Sequence, residues 1–69
     1  MALSNRINQI RTDVHLSQEQ FADILGVSRQ SVQKWESGTA TPELEKLIKI
    51  SKLFDITLDA LVLDSNGRT

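Results

Sequence analysis

Cysteine is absent from this 69-residue chain, and histidine occurs once, at His15. The sequence therefore holds no disulfide framework, no thiolate nucleophile and no His/Cys cluster that could bind zinc. Long apolar runs are missing as well, since the longest is Ala60 to Leu63, too short for a signal-peptide core or a membrane span. These absences predict a cytoplasmic protein with no metal, no cofactor and no membrane partner.

An excess of positive charge is also missing. Eight lysine and arginine residues stand against nine acidic residues, for a net charge of −1. This balance argues against a nonspecific nucleic-acid or membrane binder. Most of the acidic residues lie outside residues 16–38, however, so the question is which face carries the cations. Five acids follow that stretch: Glu43, Glu45, Asp55, Asp59 and Asp64.

Catalytic patterns are equally scarce. The sequence shows no nucleophile–base pair, no carboxylate dyad with positional support and no glycine-rich phosphate loop. Each of these would be needed for a recognisable hydrolytic or transfer site. We therefore predict that the protein is not an enzyme.

Three helices are indicated by their apolar spacing. The first ends near Thr12. The fourth helix is predicted to begin at residues 41–43, where a threonine can cap it, a proline suits its first turn and an acidic residue faces the positive end of the helix dipole. Its solvent face carries three lysines. Thr57 can cap a short fifth helix. The predicted inner faces are Leu3, Ile7, Ile10 and Val14 in the first helix, Leu44, Leu47, Ile48, Ser51 and Phe54 in the fourth, and Leu58, Leu61 and Val62 in the fifth, and the lysines are Lys46, Lys49 and Lys52.

Two further helices are separated only by residues 26–27. Ser17 and Gln20 fit a capping box, which opens a second helix of about two turns whose apolar face holds Phe21, Ala22, Ile24 and Leu25. Ser28 can cap a third helix, which Gly38 stops. So short a link, with a glycine in it, suits a helix-turn-helix. Because no segment alternates like a strand, we predict an all-α fold, a compact bundle of five helices.

The third predicted helix has two different faces. At about 100° per residue, one arc carries long donor-rich side chains and the other carries its apolar residues. Arginine and glutamine are the side chains that read guanine and adenine edges in the major groove. The first arc holds Arg29, Gln30, Gln33, Lys34 and Ser37, and the second holds Ser28, Ser31, Val32 and Trp35.

Each of these features also has a plainer interpretation. The polar arc could be an ordinary solvated surface, and Trp35 is expected in the core rather than stacked on a base. His15 is expected to be an incidental loop residue. The stripe of three lysines on the fourth helix is expected to be a solvated face rather than a phosphate-binding rail.

The stretch LSQEQFADILGVSRQSVQKWESGTATPELEKLIKISKLFDITLDALV resembles the phage-repressor/Cro type of helix-turn-helix domain, also called the XRE family. The resemblance covers about residues 3 to 63, and its most specific pieces are LSQEQFA, LGVSRQSVQKWE-x-G and ITLDALV. It implies a lambda-repressor-like five-helix fold. It also implies a third helix that lies in the major groove of double-stranded DNA, with its partner helix braced across the backbone.

The resemblance assigns roles to particular residues. Arg29 occupies the first exposed position of the recognition helix, where several related repressors have glutamine, so a guanine contact and a phosphate contact both stay open. Gln18 matches a glutamine that bonds a phosphate and supports that first residue. The remaining base-reading positions are Gln30, Gln33 and Lys34, the other phosphate-contacting positions are Ser17, Ser37, Gly38 and Thr39, and the structural ion pair is Arg11 with Glu36.

The leading hypothesis is a sequence-specific transcriptional regulator, a repressor that binds a near-palindromic operator as a homodimer. We expect the DNA-binding domain at residues 1–63, the helix-turn-helix at about 17–37, and a frayed tail at 64–69. A small apolar dimer interface is expected at Leu63, with Val62 and Leu58 as further candidates for it. The alternative is a protein-interaction module, such as an antitoxin-like partner, with secondary or lost DNA binding.

Overall fold

Residues 2–63 are described by a computed structural model, apart from the side chain of Leu63, and among them there are five short helices and no strand. Helix α1 spans Leu3–Asp13, α2 spans Gln18–Leu25, α3 spans Arg29–Ser37 and α4 spans Leu44–Leu53. A π-helical segment at Asp59–Leu63, here α5, ends the described part. The all-α prediction is confirmed, and the predicted tail at 64–69 lies outside the described residues. None of these helices is long and apolar enough to cross a membrane.

Serine side chains begin α2 and α3, as predicted. The N–H of Gln20 donates to Ser17 Oγ at 3.0 Å, and the Gln20 side-chain oxygen accepts from the N–H of Ser17 at 2.9 Å. The N–H of Ser31 donates to Ser28 Oγ at 3.2 Å. Each cap gives a partner to N–H groups that the helix itself leaves unpaired, so both helices have a defined first turn.

A residue with a left-handed backbone follows each of the first four helices. After α1, the His15 N–H donates to the Thr12 carbonyl at 3.0 Å and the Leu16 N–H donates to the Arg11 carbonyl at 3.1 Å, the pairing of a Schellman motif. His15 therefore ends α1 through its backbone and is more than an incidental loop residue. The four residues and their φ angles are His15 (61°), Gly26 (73°), Gly38 (81°) and Asp55 (55°).

Replacing His15 with glycine is expected to stabilise the protein by about 0.5 to 1 kcal/mol. Glycine removes the Cβ strain of the left-handed conformation, roughly 1–2 kcal/mol, but loses more chain entropy on folding, roughly 0.5–1 kcal/mol. Urea unfolding measures the difference. Gln9→Gly, at an exposed position inside α1, is the control and should destabilise by about 0.5 kcal/mol; a destabilised His15→Gly variant would contradict the expectation.

The core lies where the first three helices meet α4 and α5. Phe21 stacks on Phe54 with ring centroids 5.5 Å apart, and Trp35 packs with this core as predicted. The short chain thus relies on one apolar cluster. Its fully buried large side chains are Phe21, Ile7, Leu25, Ile50, Leu61 and Val32.

Several predicted inner-face residues are exposed instead. Val14 lies beyond the end of α1 and Ile24 lies on the outer side of α2, and both are exposed. Leu44 is 67% exposed, and Leu58 is exposed as well. The apolar stripe predicted from the spacing is wider than the part of each helix that its neighbours cover. Apolar residues at the helix ends therefore stay exposed.

Helix α4 begins later than predicted. Its N-cap is Glu43, which forms no side-chain capping bond, rather than Thr41. Pro42 is not in the first turn but is buried in the preceding loop, where it lines a cavity with Trp35 and Gly38. The apolar ring thus packs inward, and the helix starts two residues after it.

Candidate nucleic-acid interface

Helix α3 presents its polar arc outward because its apolar arc is anchored. Val32 is fully buried and Trp35 nearly so, while the N-cap Ser28 fixes the first turn. The four predicted base-reading residues all lie exposed on this one helix: Arg29, Gln30, Gln33 and Lys34. Long donors on a helix face that is held from behind have the form required to enter a major groove.

The carboxylate of Glu36, near the end of α3, is held by three side chains. Arg11 Nε donates to Glu36 Oε2 at 2.6 Å, and an Arg11 terminal nitrogen donates to Oε1 at 3.2 Å. Asn8 donates to Oε1 at 3.0 Å and Gln18 at 3.1 Å. The side chains of Arg11 and Glu36 are 14% and 7% exposed. One carboxylate thus joins α1, α2 and α3.

Arg11 also reaches the start of α2. Its other terminal nitrogen donates to the Leu16 carbonyl at 2.7 Å. The structure therefore places Arg11 and Glu36 in contact, and it adds Asn8 and the Leu16 carbonyl, which sequence reasoning missed. The only available signal for Asn8 was its position three residues before Arg11, on the same side of α1.

The pKa of Glu36 is lowered from its ordinary value of 4.5. Burial on its own would raise that pKa, but the hydrogen bonds from Arg11, Asn8 and Gln18, together with the Arg11 charge, outweigh the burial. The folded protein therefore favours the ionised carboxylate. The charge is neutralised inside the fold and is not a free acid facing DNA.

Stability is expected to fall in acid because of Glu36. Its pKa is lower in the folded state, so its contribution is present above the unfolded pKa of 4.5 and is lost as the pH falls through the folded pKa. Urea unfolding between about pH 7 and pH 3 should show a steeper loss for the parent protein than for Glu36→Gln. Glu45→Gln, at a side chain 75% exposed, is the matched control and should keep the parent's steepness; parallel curves for the parent and Glu36→Gln would contradict this assignment.

The predicted phosphate-contacting residues occupy two places. Gln18 lies in the first turn of α2, and its amide donates to Glu36; within residues 2–62 it forms no hydrogen bond to Arg29. Ser17 is exposed, and its hydroxyl accepts the capping bond. Both residues lie where the positive end of the α2 dipole favours an anion.

The other three lie at the end of α3, where the backbone differs from the prediction. The N–H of Gly38 donates to the Trp35 carbonyl at 3.3 Å and that of Thr39 to the Lys34 carbonyl at 2.9 Å. These N–H groups already have partners, so they are not free to hold phosphates. The Ser37 hydroxyl donates to the Lys34 carbonyl at 3.2 Å and lies 2.8 Å from the Thr39 hydroxyl. Both residues are exposed, and unlike the backbone N–H groups their hydroxyls can rotate from these bonds to a phosphate.

The fold and this interface together define a class of protein. A family model for the helix-turn-helix matches residues 7–61, and the chain belongs to this XRE-type helix-turn-helix family. The family consists of transcription regulators and not of enzymes, in agreement with the sequence prediction.

Individual relatives are regulators by name. The chain is 45% identical over 62 residues to the HTH-type transcriptional activator BcrR of Enterococcus faecalis, covering 90% of this chain and 30% of BcrR. It is 36% identical over 61 residues to the cryptic phage CTXphi transcriptional repressor RstR of Vibrio cholerae, covering 88% of this chain and 54% of RstR. The chain thus spans only about a third to a half of these relatives.

Solved structures share the fold. The P22 c2 repressor, in a complex with a synthetic operator, superposes with a TM-score of 0.81 at 26% identity, over 88% of this chain and 92% of that chain. The restriction-modification controller protein C.AhdI of Aeromonas hydrophila superposes with a TM-score of 0.75 at 30% identity, over 86% and 89%. These similarities agree with the predicted lambda-repressor-like fold.

Proposed function

We propose that this chain is a sequence-specific reader of double-stranded DNA that regulates transcription, with α3 in the major groove. The observation that carries the proposal is the exposed donor arc on a helix fixed from behind by Val32 and Trp35. The operator complex of the P22 c2 repressor supports it, since that protein shares the fold. Residues 1–63 would be the DNA-binding domain, with the helix-turn-helix at about 17–37.

The side chains of α3 divide by the chemistry they offer. Gln30 and Gln33 can each form bidentate hydrogen bonds with adenine. Arg29 can form bidentate hydrogen bonds with guanine, or it can contact a phosphate. Lys34 supplies a flexible point charge for a base or a nearby phosphate. Four further side chains are proposed as neutral phosphate contacts, which set the register without reading sequence: Ser17, Gln18, Ser37 and Thr39.

A homodimer on a near-palindromic operator would supply the affinity that one short helix lacks. A single recognition helix reads only a few base pairs, and two-fold symmetry doubles the site. Among the proposed interface residues, Leu58 is 36% exposed and Val62 is half-buried. The Leu63 side chain lies outside the described residues. Leu44, at 67% exposed, is a further apolar side chain available to a second copy.

Repression is the proposed outcome of binding. Occupying a promoter is enough to block transcription, whereas activation needs an additional productive contact with the transcription machinery. RstR and P22 c2 are named repressors and BcrR is a named activator. The position of the operator relative to a promoter would therefore decide whether binding represses or activates transcription, and a reporter assay with the selected site distinguishes the two outcomes.

Selection from a random duplex library at low salt tests the proposal. We expect enrichment of an inverted repeat whose half-sites contain the bases that the donor arc reads. A Gln30→Ala/Gln33→Ala double variant should lose that enrichment, while Gln9→Ala, an exposed glutamine on α1, should retain it. A folded protein that enriches no sequence would overturn the proposal and favour the interaction module, which a tight protein partner would then identify.

A further inference from the structure

We propose that Lys46 of α4 is a positioning residue for DNA reading, because it fixes the turn that aims α3. The inference rests on the proposed function and adds a residue outside the helix-turn-helix. Sequence spacing places Lys46 on a solvent face with Lys49 and Lys52, and the structure separates it from them. Its side chain is 21% exposed, while Lys49 and Lys52 are exposed.

The Lys46 ammonium bonds the last carbonyl of α2. Nζ donates to the Leu25 oxygen at 3.2 Å. The N–H groups of Gly26 and Val27 in the turn bond carbonyls earlier in α2. The Gly26 N–H donates to the Asp23 carbonyl and the Val27 N–H donates to the Ala22 carbonyl. The Leu25 carbonyl is one of those that a helix end leaves without an intrahelical partner. A cation from α4 satisfies it, at the end of α2 where the dipole favours positive charge.

The same side chain lies behind the recognition helix. Lys46 lines a cavity of about 220 Å³ with Val27 of the turn and with Ser31 and Trp35 from the inner arc of α3. Its ion pair is with Glu45, at 3.7 Å and largely exposed, a pair that contributes little. The bond to Leu25 is therefore the contact that matters, and it joins α4 to the last residue of α2, directly before the link at residues 26–28.

Base reading is sensitive to such a link. Two-pronged hydrogen bonds from glutamine or arginine to a base need short distances and nearly linear geometry. The direction of α3 relative to α2 depends on residues 26–28, so a looser turn lets Gln30 and Gln33 occupy a wider range of positions. We expect the loss to fall on discrimination between bases more than on contacts to phosphates.

The test compares Lys46→Met with Lys49→Met, which removes the same charge from the same helix at an exposed position. Lys46→Arg restores a cationic donor. Affinities for the selected site and for a single-base variant of it are measured at several salt concentrations, at a temperature where circular dichroism shows every variant folded. Lys46→Met should bind the selected site about 5- to 10-fold more weakly and lose discrimination by a similar factor, with an unchanged salt slope. Lys49→Met should match the parent, and Lys46→Arg should recover most of the loss.

A readout without DNA separates this inference from the proposed function. Amide hydrogen exchange at Gly26 and Val27 should be several-fold faster in Lys46→Met than in Lys49→Met, with Phe21 in the core unchanged. A salt slope lower by about one per chain would overturn the inference, because it would make Lys46 a phosphate contact. Unchanged exchange at the turn would overturn it too, as would equal affinities of the two methionine variants. A parent protein that selects no site would instead refute the proposed function.

Discussion

Replacing Arg11 with alanine is expected to lower the free energy of unfolding by about 3 kcal/mol, at the lower end of the cost of breaking a buried ion pair. The change removes two of the four hydrogen bonds on the Glu36 carboxylate and leaves Asn8 and Gln18 to hold a charge that is 7% exposed. It also removes the donor to the Leu16 carbonyl. Urea unfolding at neutral pH measures the loss, and the melting temperature should fall by more than about 10 °C.

Arg6 provides the matched control for this loss. It lies on α1 like Arg11, but within the described residues its buried Nε has no hydrogen-bond partner. Arg6→Ala removes the same charge without stranding an acid and should cost less than about 1 kcal/mol. Unchanged melting of Arg11→Ala, or equal losses in the two variants, would remove the Arg11–Glu36 pair from the account of stability.

Truncating Gln30 or Gln33 to alanine is expected to weaken operator binding by about 1–3 kcal/mol and to relax the preference at one base position. Both side chains are exposed on α3, so neither change should move the melting temperature. Lys34→Ala should instead weaken binding to every sequence alike if its role is a phosphate contact. Affinities for the selected site and all its single-base variants measure the pattern.

Gln9→Ala is the control for these two changes, because Gln9 is an exposed glutamine on α1 rather than on α3. It should bind like the parent. If Gln30→Ala, Gln33→Ala and Lys34→Ala also bind like the parent, then the donor arc does not read DNA, and another surface must carry any binding.

Local signals predicted the helices well where a side chain contacts its own helix. The capping bonds of Ser17, Gln20 and Ser28 join residues three positions apart, and the structure shows the bonds that this spacing indicates. The start of α4 was wrong because a proline after a threonine has two uses. It can open a helix or pack its ring into a neighbour, and Pro42 does the second.

The candidate site divides in the same way. The donor arc of α3 could be predicted, because the helical period alone separates Arg29 and Gln33 from Val32. The contacts of Asn8 and Lys46 could not be predicted, since each joins residues more than twenty positions apart. Their partners are a carboxylate and a carbonyl oxygen that only the packed helices bring within reach.

The sequence by itself determined the all-α class, the caps of α2 and α3, the short link that contains Gly26 and Val27, and the two arcs of the recognition helix. These depend on periodicity and on contacts along the chain, which neighbouring residues specify. Tertiary structure decided which apolar residues are buried, how Glu36 is neutralised and which lysine of α4 meets α2. Those outcomes depend on where one helix axis lies against another, which follows from the packing of all the core side chains together.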